Sequence, residues 1–549
     1  MRRRIQIYRE QADTKADIAA FLAVFSLIAI RFLYFGFQYF PQLDDYIQHH
    51  NYAAQGDLLY NCRVLGLLAS RPLAGILDVT LWSWLWPCSI VGVLLICALY
   101  ALSAVVFKRL FSKLFGTGAF FLVMYTLLPL GIEGTYWMSA STRIVPGLLF
   151  VALSANCFYQ FLETGRKRDL ILAVLCQFIT FCFYEQTAVL SCALNLLLAF
   201  LYVRKSGGRW LFAFSCFLCA ALYFGLCALT ADSALYSGRM NLILPVSNYY
   251  YDTFLPDLLS QMKSAFLGGG FYTLIYGFLR GIMRIFADGA WLYCLLVLIF
   301  CTGFFFHFRK DQSKGEERFL LPLLYGVLLV IAPLAPFFII ENPWFSLRGT
   351  VASFVGIALL ADLVLRRIAF SKKNAVAAIS AFVALLFCVC SVSELADYKA
   401  TYEADSRVVG AVAQIASEYP EGGKVAILNI DDSYVHEQNY KFHEHVSGVT
   451  SSDWALTGAV RCYNKNPNEW ITYVPISLRE HEIYQKWEWA VKTISSMDGV
   501  YVYDYASNTI EPLNVQYEGK NSFLLYHADG RFFGRIVEEE QCGYFYAES

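Results

Sequence analysis

Two adjacent aspartates, Asp44 and Asp45, lie a few residues beyond the first long apolar run of this chain. A carboxylate at the edge of a bilayer is a residue type that can remove a proton from an acceptor hydroxyl, so each is a candidate catalytic base. An aspartate that caps a helix over residues 46–51 would leave the same sequence pattern. The pair therefore predicts acid–base chemistry at a membrane boundary, and it leaves open which of the two residues performs it.

Further acids and arginines border the apolar runs: Arg71, Glu133, Arg143, Glu185 and Arg348. An ionised group near hydrocarbon costs about 2.5 to 3.5 kcal/mol, so these side chains are expected to face a polar cavity or each other. A guanidinium binds phosphate through two parallel hydrogen bonds, which suits the three arginines to a phosphate group. Glu133 is a third candidate acid, and Glu185 a candidate substrate-binding residue. Ion pairing or contact with lipid headgroups would explain the same residues.

The sequence assigns no cofactor, and it leaves a divalent cation open. Asp45 and His49 have the i,i+4 spacing of two ligands on one helix face, but two ligands are too few for a site. Asp431, Asp432 and the histidines that follow them have no diagnostic ligand spacing, so we expect them to be solvated. No metal ligand is therefore named.

The composition shows which elements must position these residues. Of 549 residues, 57% are hydrophobic, 17% aromatic and only 16% charged. Such a chain is typical of a polytopic membrane protein in contact with membrane lipids rather than a water-soluble globule. The net charge of −1 provides no basic field for a nucleic acid. We therefore expect the candidate residues to be held by membrane helices.

About 20 apolar residues are needed for a helix to cross the hydrocarbon. This length predicts eleven spans, near residues 17–37, 87–107, 116–132, 144–162, 169–184, 187–203, 210–230, 289–306, 319–340, 349–365 and 375–393. The stretch 265–286 is also apolar, but Arg280 and Arg284 favour an interfacial or re-entrant helix. Whether this stretch crosses the membrane stays open.

Lysines and arginines concentrate at the N-terminus and in alternate loops of this arrangement. Because cytoplasmic loops accumulate these residues, the N-terminus is predicted to be cytoplasmic and the C-terminal tail to lie outside. The predicted outer loops are 38–86, 133–143, 231–288 and 341–348. Glu185 lies in a short connection on the same side. The candidate residues are thus predicted to share the outer face of a bacterial plasma membrane.

The composition becomes polar after residue 393, which divides a transmembrane domain (1–393) from a soluble domain (394–549). A helical pattern over 406–419 precedes a β-rich run at 424–430, and shorter strand-like runs follow. These patterns predict an extracytoplasmic α/β domain. Cys462 and Cys542 are its only cysteines, and a disulfide between them is left open.

An enzyme active at the outer face has no nucleotide there, so an activated donor must come from the lipid phase. A polyprenyl-phosphate sugar meets that need, with a glycan or surface polymer as acceptor. One aspartate would deprotonate the acceptor while arginines stabilise the leaving phosphate. Two alternatives are a transporter or flippase of lipid-linked intermediates, and a non-enzymatic envelope assembly factor. The flippase is less favoured because the charges lie at one face and no internal repeat is evident.

Several short elements resemble the GT-C-fold membrane glycosyltransferases, and among them the bacterial GtrII-like members. They are Asp44-Asp45-Tyr46, Ser70-Arg71-Pro72-Leu73, Glu133 with Thr135-Tyr136-Trp137, and Tyr184-Glu185-Gln186. The resemblance covers residues 1–393. It implies that Asp44 or Asp45 is the catalytic base or a metal ligand, and that the long loop 231–288 corresponds in position to one that helps to bind the lipid donor.

Overall fold

The structure is a computed structural model, and it describes residues 2–47, 71–202, 216, 243–309, 319–340, 345–369, 374–431, 447–466, 471–479, 481–485, 492–539 and 542–547. The predicted span 210–230 lies outside these residues except for Cys216, as do His49 and Asp432. The described residues form two compact units. Unit 1 contains residues 2–39 and 71–395, and unit 2 contains residues 40–47, 396–431 and those from 447 onward.

Unit 1 is helical. Its helices are α1 (Arg2–Phe32), α2 (Pro72–Leu77), α3 (Ser89–Phe115), α4 (Ala119–Leu127), α5 (Ile132–Thr135), α6 (Met138–Thr164), α7 (Lys167–Phe181), α8 (Glu185–Leu201), α9 (Leu255–Lys263), α10 (Phe271–Ala287), α11 (Trp291–Phe308), α12 (Leu320–Ile331), α13 (Phe354–Ile368) and the first part of α14 (Ala375–Val412). Short 3-10 or π-helical turns extend or connect them at Asp78–Trp82, Trp86–Cys88, Pro129–Gly131, Tyr250–Phe254, Ser264–Gly270, Ala332–Phe338 and Leu347–Ser353.

Five helical segments in the described part of the chain are long and apolar enough to cross a membrane. They are Trp86–Phe115, Met138–Thr164, Trp291–Phe308, Leu320–Phe338 and Ala375–Glu418. Each overlaps a predicted span, so the prediction of a helical membrane protein is confirmed to this extent. The count of eleven spans stays a prediction. Near the predicted span 116–132 the structure has only the nine-residue α4, because the chain turns at Pro129.

A buried polar group joins three neighbouring helices of unit 1. Asn195 on α8 donates its amide to Gln177 Oε1 on α7 at 2.8 Å, and to Ser154 Oγ on α6 at 3.1 Å. Hydrogen bonds of this kind hold helices together where lipid removes the hydrophobic driving force. Close packing adds to them, since a Cβ on Gly147 of α6 would lie 2.6 Å from Thr187 Oγ1 on α8. These contacts fix the N-terminal end of α8, where Glu185 lies.

Unit 2 contains the end of α14, the 3-10 turns Ala413–Glu418, Val449–Ser451 and Ile494–Ser496, helix α15 (Asp453–Asn464) and one eight-stranded sheet. The strands are β1 (Lys424–Leu428), β2 (Thr472–Ile476), β3 (Glu482–Gln485), β4 (Gly499–Asp504), β5 (Thr509–Tyr517), β6 (Ser522–His527), β7 (Phe532–Glu539) and β8 (Cys542–Ala547). Their order is β2-β1-β4-β5-β6-β7-β8-β3, with β2, β1 and β4 parallel and the other pairs antiparallel. The predicted C-terminal domain is therefore rich in β structure. No disulfide joins Cys462 to Cys542, which are both among the described residues.

The segment 40–47, which carries the aspartate pair, belongs to unit 2. Gln42 donates its side-chain amide to the carbonyl oxygen of Tyr398 on α14 at 2.9 Å. The Phe40 and Tyr402 rings pack with their centroids 5.8 Å apart. The segment that follows the first apolar run in the sequence is thus built into the same unit as the C-terminal sheet.

Candidate functional site

The two aspartates of the pair occupy different environments in unit 2. Asp45 is fully buried, and its Oδ2 accepts the backbone N–H of Gln42 at 3.0 Å. In the same turn Leu43, the residue before Asp44, has a φ of 39°, a left-handed conformation that is uncommon for a residue with a branched side chain. Such strain persists only where the surroundings fix it, and it is concentrated at functional sites. Asp45 therefore stabilises the turn that positions Asp44.

Asp44 is half-buried, and its Oδ1 accepts the indole N–H of Trp454 on α15 at 3.1 Å. Across the part of the chain that the structure describes, this is the one hydrogen bond recorded for its side chain. Oδ2 is thus left with unused acceptor capacity among these residues. A carboxylate held by one oxygen and open at the other has the geometry that a general base requires.

A second buried acid, Asp405, lies within electrostatic range of Tyr46, the residue after the aspartate pair. Burial raises the pKa of Tyr46, and the charge of Asp405 raises it further. Asp405 Oδ2 also accepts the backbone N–H of Val449 at 3.0 Å. Asp45 and Asp405 thus bind backbone groups, whereas Asp44 binds the exposed side chain of Trp454.

In unit 1, Arg71 and Glu185 form a bidentate ion pair. Arg71 Nε donates to Glu185 Oε1 at 3.0 Å, and Nη2 donates to Oε2 at 2.9 Å. The guanidinium also lies over the Tyr184 ring, with its Cζ 4.5 Å from the ring centroid. Arg71 immediately precedes α2, and Glu185 is in the first turn of α8, where the helix dipole favours a negative charge. The pair therefore joins two helix N-termini.

Arg143 binds an acid that the sequence analysis did not identify. Its Nη2 lies 3.1 Å from Asp78 Oδ2, while Thr142 donates to Asp78 Oδ1 at 3.2 Å. Asp78 is fully buried, in a π-helical turn that continues α2. Burial raises the pKa of Asp78, and the charges of Arg143 and Arg71 oppose that rise. The signal that could have revealed Asp78 is its isolation within an otherwise apolar run.

The other predicted residues of unit 1 gather around Tyr184. Four charged side chains act electrostatically on its buried hydroxyl: Arg71, Glu133, Glu185 and Arg348. Glu133 is fully buried on α5, and Arg348 lies over the Trp137 ring with its Cζ 5.2 Å from the centroid. The backbone at Arg348 can lie this close to α5 because residue 134 is a glycine: a Cβ on Gly134 would be 3.2 Å from the backbone oxygen of Arg348. We call Arg71, Asp78, Glu133, Arg143, Glu185 and Arg348 the charged cluster.

The charged cluster combines three guanidinium groups with three carboxylates. Guanidinium groups close to one another form a binding site for phosphate, whose charge they neutralise through directed hydrogen bonds. Ion pairs with Glu185 and Asp78 hold two of the cations, Arg71 and Arg143. The residues of the charged cluster come from the ends of α2, α5, α6 and α8 and from the turn Leu347–Ser353.

A further arginine, Arg31 near the end of α1, has a fully buried side chain. Its guanidinium lies over the Phe32 ring at 4.3 Å, and Glu394 is within electrostatic range. No hydrogen bond is recorded for its three nitrogen atoms within the described residues.

Only some of the residues with possible metal-binding side chains are among those that the structure describes. No group of three or more potential ligands is present within the described residues. Asp431 follows β1 and forms an ion pair with Arg479 at 2.6 Å, and it accepts a hydrogen bond from Ser477. His49 and the histidines at 436, 443 and 445 lie outside the described residues.

The geometry of these residues is the basis for assigning a function. No protein-family model matches this chain, and no curated protein sequence is significantly similar to it.

Proposed function

We propose that this protein is a membrane glycosyltransferase that moves a sugar from a polyprenyl-phosphate donor to a glycan or related surface acceptor. The proposal includes eleven spans, a GT-C-like membrane domain, a cytoplasmic N-terminus and a C-terminal domain at the outer face of a bacterial plasma membrane. The single observation that carries it is the charged cluster, in which three arginines lie among three acids, two of them fully buried, beside membrane helices.

The donor phosphate is assigned to Arg71 and Arg348, with Arg143 as a third cation. Arg71 is held by Glu185 through both carboxylate oxygens, so its planar group is oriented before a ligand arrives. Pre-oriented donors stabilise developing charge without reorganisation at the moment of reaction. The three arginines together therefore favour departure of the phosphate.

The base is assigned to Asp44. Asp44 accepts the proton of an acceptor hydroxyl as the oxygen attacks the anomeric carbon of the donor. The bond between that carbon and the phosphate oxygen breaks, and its electron pair stays with the phosphate. Asp45 is the weaker candidate because it is fully buried and bonded to the backbone of Gln42. Glu133 is the alternative acid within unit 1.

The test uses the full-length protein in liposomes that contain polyprenyl-phosphate glucose, galactose or mannose, each tested separately. Release of polyprenyl phosphate is measured on addition of soluble glycans. Asp44→Asn is expected to lower the rate at least about 100-fold, the usual contribution of a general base. Asp45→Asn tests the weaker candidate in the same turn.

Each outcome decides between the candidates. Loss of transfer in Glu133→Gln, with activity retained in Asp44→Asn, assigns the base to Glu133 instead. Full activity in all three variants overturns the mechanism. Donor that crosses the bilayer without cleavage supports the flippase alternative, and wild-type protein that neither cleaves nor translocates any donor overturns the proposed function.

A further inference from the structure

We propose that Trp454 has two roles in the reaction: its indole N–H positions Asp44, and its exposed ring binds the sugar ring of the acceptor. This inference rests on the proposed function. It places an acceptor subsite on the C-terminal domain, at the N-terminal end of α15.

The first observation is the contact between the indole and the proposed base. Trp454 Nε1 lies 3.1 Å from Asp44 Oδ1, although the two residues are 410 positions apart in the chain. This bond fixes the orientation of the carboxylate and directs Oδ2 away from the indole nitrogen. A base held in this way needs less reorganisation before it accepts a proton.

The second observation is that Trp454 remains exposed although it is the second residue of a well-packed helix. Its exposed fraction is 42%, while the residues on the inner side of α15 are buried: Ala455, Leu456, Ala459 and Val460. Thr457 on the same helix accepts the backbone N–H of Tyr473 on β2 at 3.0 Å. The sheet therefore anchors α15, while part of Trp454 stays accessible to solvent.

The chemistry of the two side chains suits a pyranose. A pyranose presents an apolar face of C–H groups and a rim of hydroxyls. Binding sites for such ligands combine aromatic surface with a few placed polar groups, and tryptophan supplies the largest aromatic face together with a polar N–H. A sugar stacked on Trp454 has its hydroxyl rim next to Asp44 Oδ2. The predicted acceptor is therefore a hydroxyl-bearing sugar ring rather than a lipid or a peptide.

Two substitutions separate the two roles. Trp454→Phe keeps an aromatic ring but removes the N–H, so kcat is expected to fall about tenfold while the acceptor KM changes little. Trp454→Ala removes the ring as well, so the acceptor KM is also expected to rise about tenfold, the scale of an aromatic contact. Tyr463→Ala is the control, because Tyr463 is a 60% exposed aromatic on the same helix.

A binding measurement makes the test independent of turnover. Methyl pyranosides of glucose, galactose, mannose and N-acetylglucosamine are added separately to the solubilised full-length protein, and saturation transfer from protein to sugar protons is recorded by NMR. A signal in the wild type, in Tyr463→Ala and in Asp44→Asn that disappears in Trp454→Ala supports the subsite. Equal signals in Trp454→Ala and the wild type, or no signal in any protein, overturn it.

Failure of this inference differs from failure of the proposed function. If Asp44→Asn abolishes transfer but both Trp454 variants keep wild-type kcat and acceptor KM, the glycosyltransferase stands and the subsite is wrong. If Trp454→Ala loses sugar binding while no tested donor is cleaved, the sugar-binding surface stands without the proposed function.

Discussion

Asp78 and Arg143 lie 65 residues apart in the chain and meet at 3.1 Å, with the carboxylate fully buried. This contact connects the π-helical turn after α2 with the second turn of α6. Removing one partner of a buried pair leaves an uncompensated charge, whereas removing both does not. Loss of one partner alone is therefore expected to destabilise the protein more than the charge balance of the double loss would.

Asp78→Ala is expected to destabilise the protein by about 3 to 5 kcal/mol, because Arg143 is then left without its acid. The midpoint of thermal unfolding in detergent measures the effect. In the double variant with Arg143→Met, the loss is expected to be smaller than the sum of the single losses. Additive losses would show that the two side chains act separately.

Arg71→Lys is expected to weaken donor binding because an ammonium replaces a guanidinium that binds in a bidentate manner. A rise of about tenfold in the donor KM, with little change in thermal stability, is predicted for a role in binding phosphate. A lysine keeps a positive charge beside Glu185, and the side chain is 29% exposed, so little loss of folding stability is expected. Recovery of the wild-type KM in an Arg71→Glu, Glu185→Arg double variant would instead indicate a purely structural pair.

Asp45→Asn is expected to lower stability while Asp44→Asn leaves it nearly unchanged. Asp45 accepts a buried backbone N–H, and loss of a comparable cap costs about 0.5 to 2 kcal/mol. Asp44 is half-buried and bonded to an exposed indole. Thermal unfolding of the two single variants, measured side by side, checks this difference. The reverse order would contradict the structural role assigned to Asp45.

Gly147→Ala is expected to destabilise the contact between α6 and α8 by about 1 to 3 kcal/mol, the usual cost of overpacking. The added Cβ would lie 2.6 Å from Thr187 Oγ1. Thr187→Ala removes the atoms that clash, so the double variant is expected to recover part of the loss. Thermal unfolding provides the measurement, and an unaffected single variant would show that the two helices do not approach so closely.

The sequence identified charged residues at apolar boundaries, but it could not identify their partners. The sequence predicted Arg71 and Glu185 as separate candidates. It could not predict their contact, which joins positions 114 residues apart and depends on how α2 and α8 pack. Asp78 was missed because a single acid in an apolar run matches no spacing rule. Long-range contacts of this kind are set by tertiary packing, which a local pattern does not contain.

The helical character of the membrane region was predictable because an apolar run has few other stable conformations in lipid. Helix ends were less predictable, as the short α4 before Pro129 shows. The sequence could not distinguish the two alternatives for the aspartate pair, catalytic base or helix cap. Asp44 and Asp45 are adjacent and identical in type, so they differ only in the direction that the turn gives each side chain. Leu43, with its left-handed backbone, produces that difference.

The packing of residues 40–47 against Tyr398 and Trp454 has a consequence for genetics. A truncation that begins after residue 395 removes Trp454, which binds Asp44, and Tyr398, which binds Gln42, as well as the sheet. A null phenotype from such an allele therefore reports damage to the proposed base as much as the loss of a separate module. Missense alleles at Trp454 are the appropriate way to ask what the tail does in the cell.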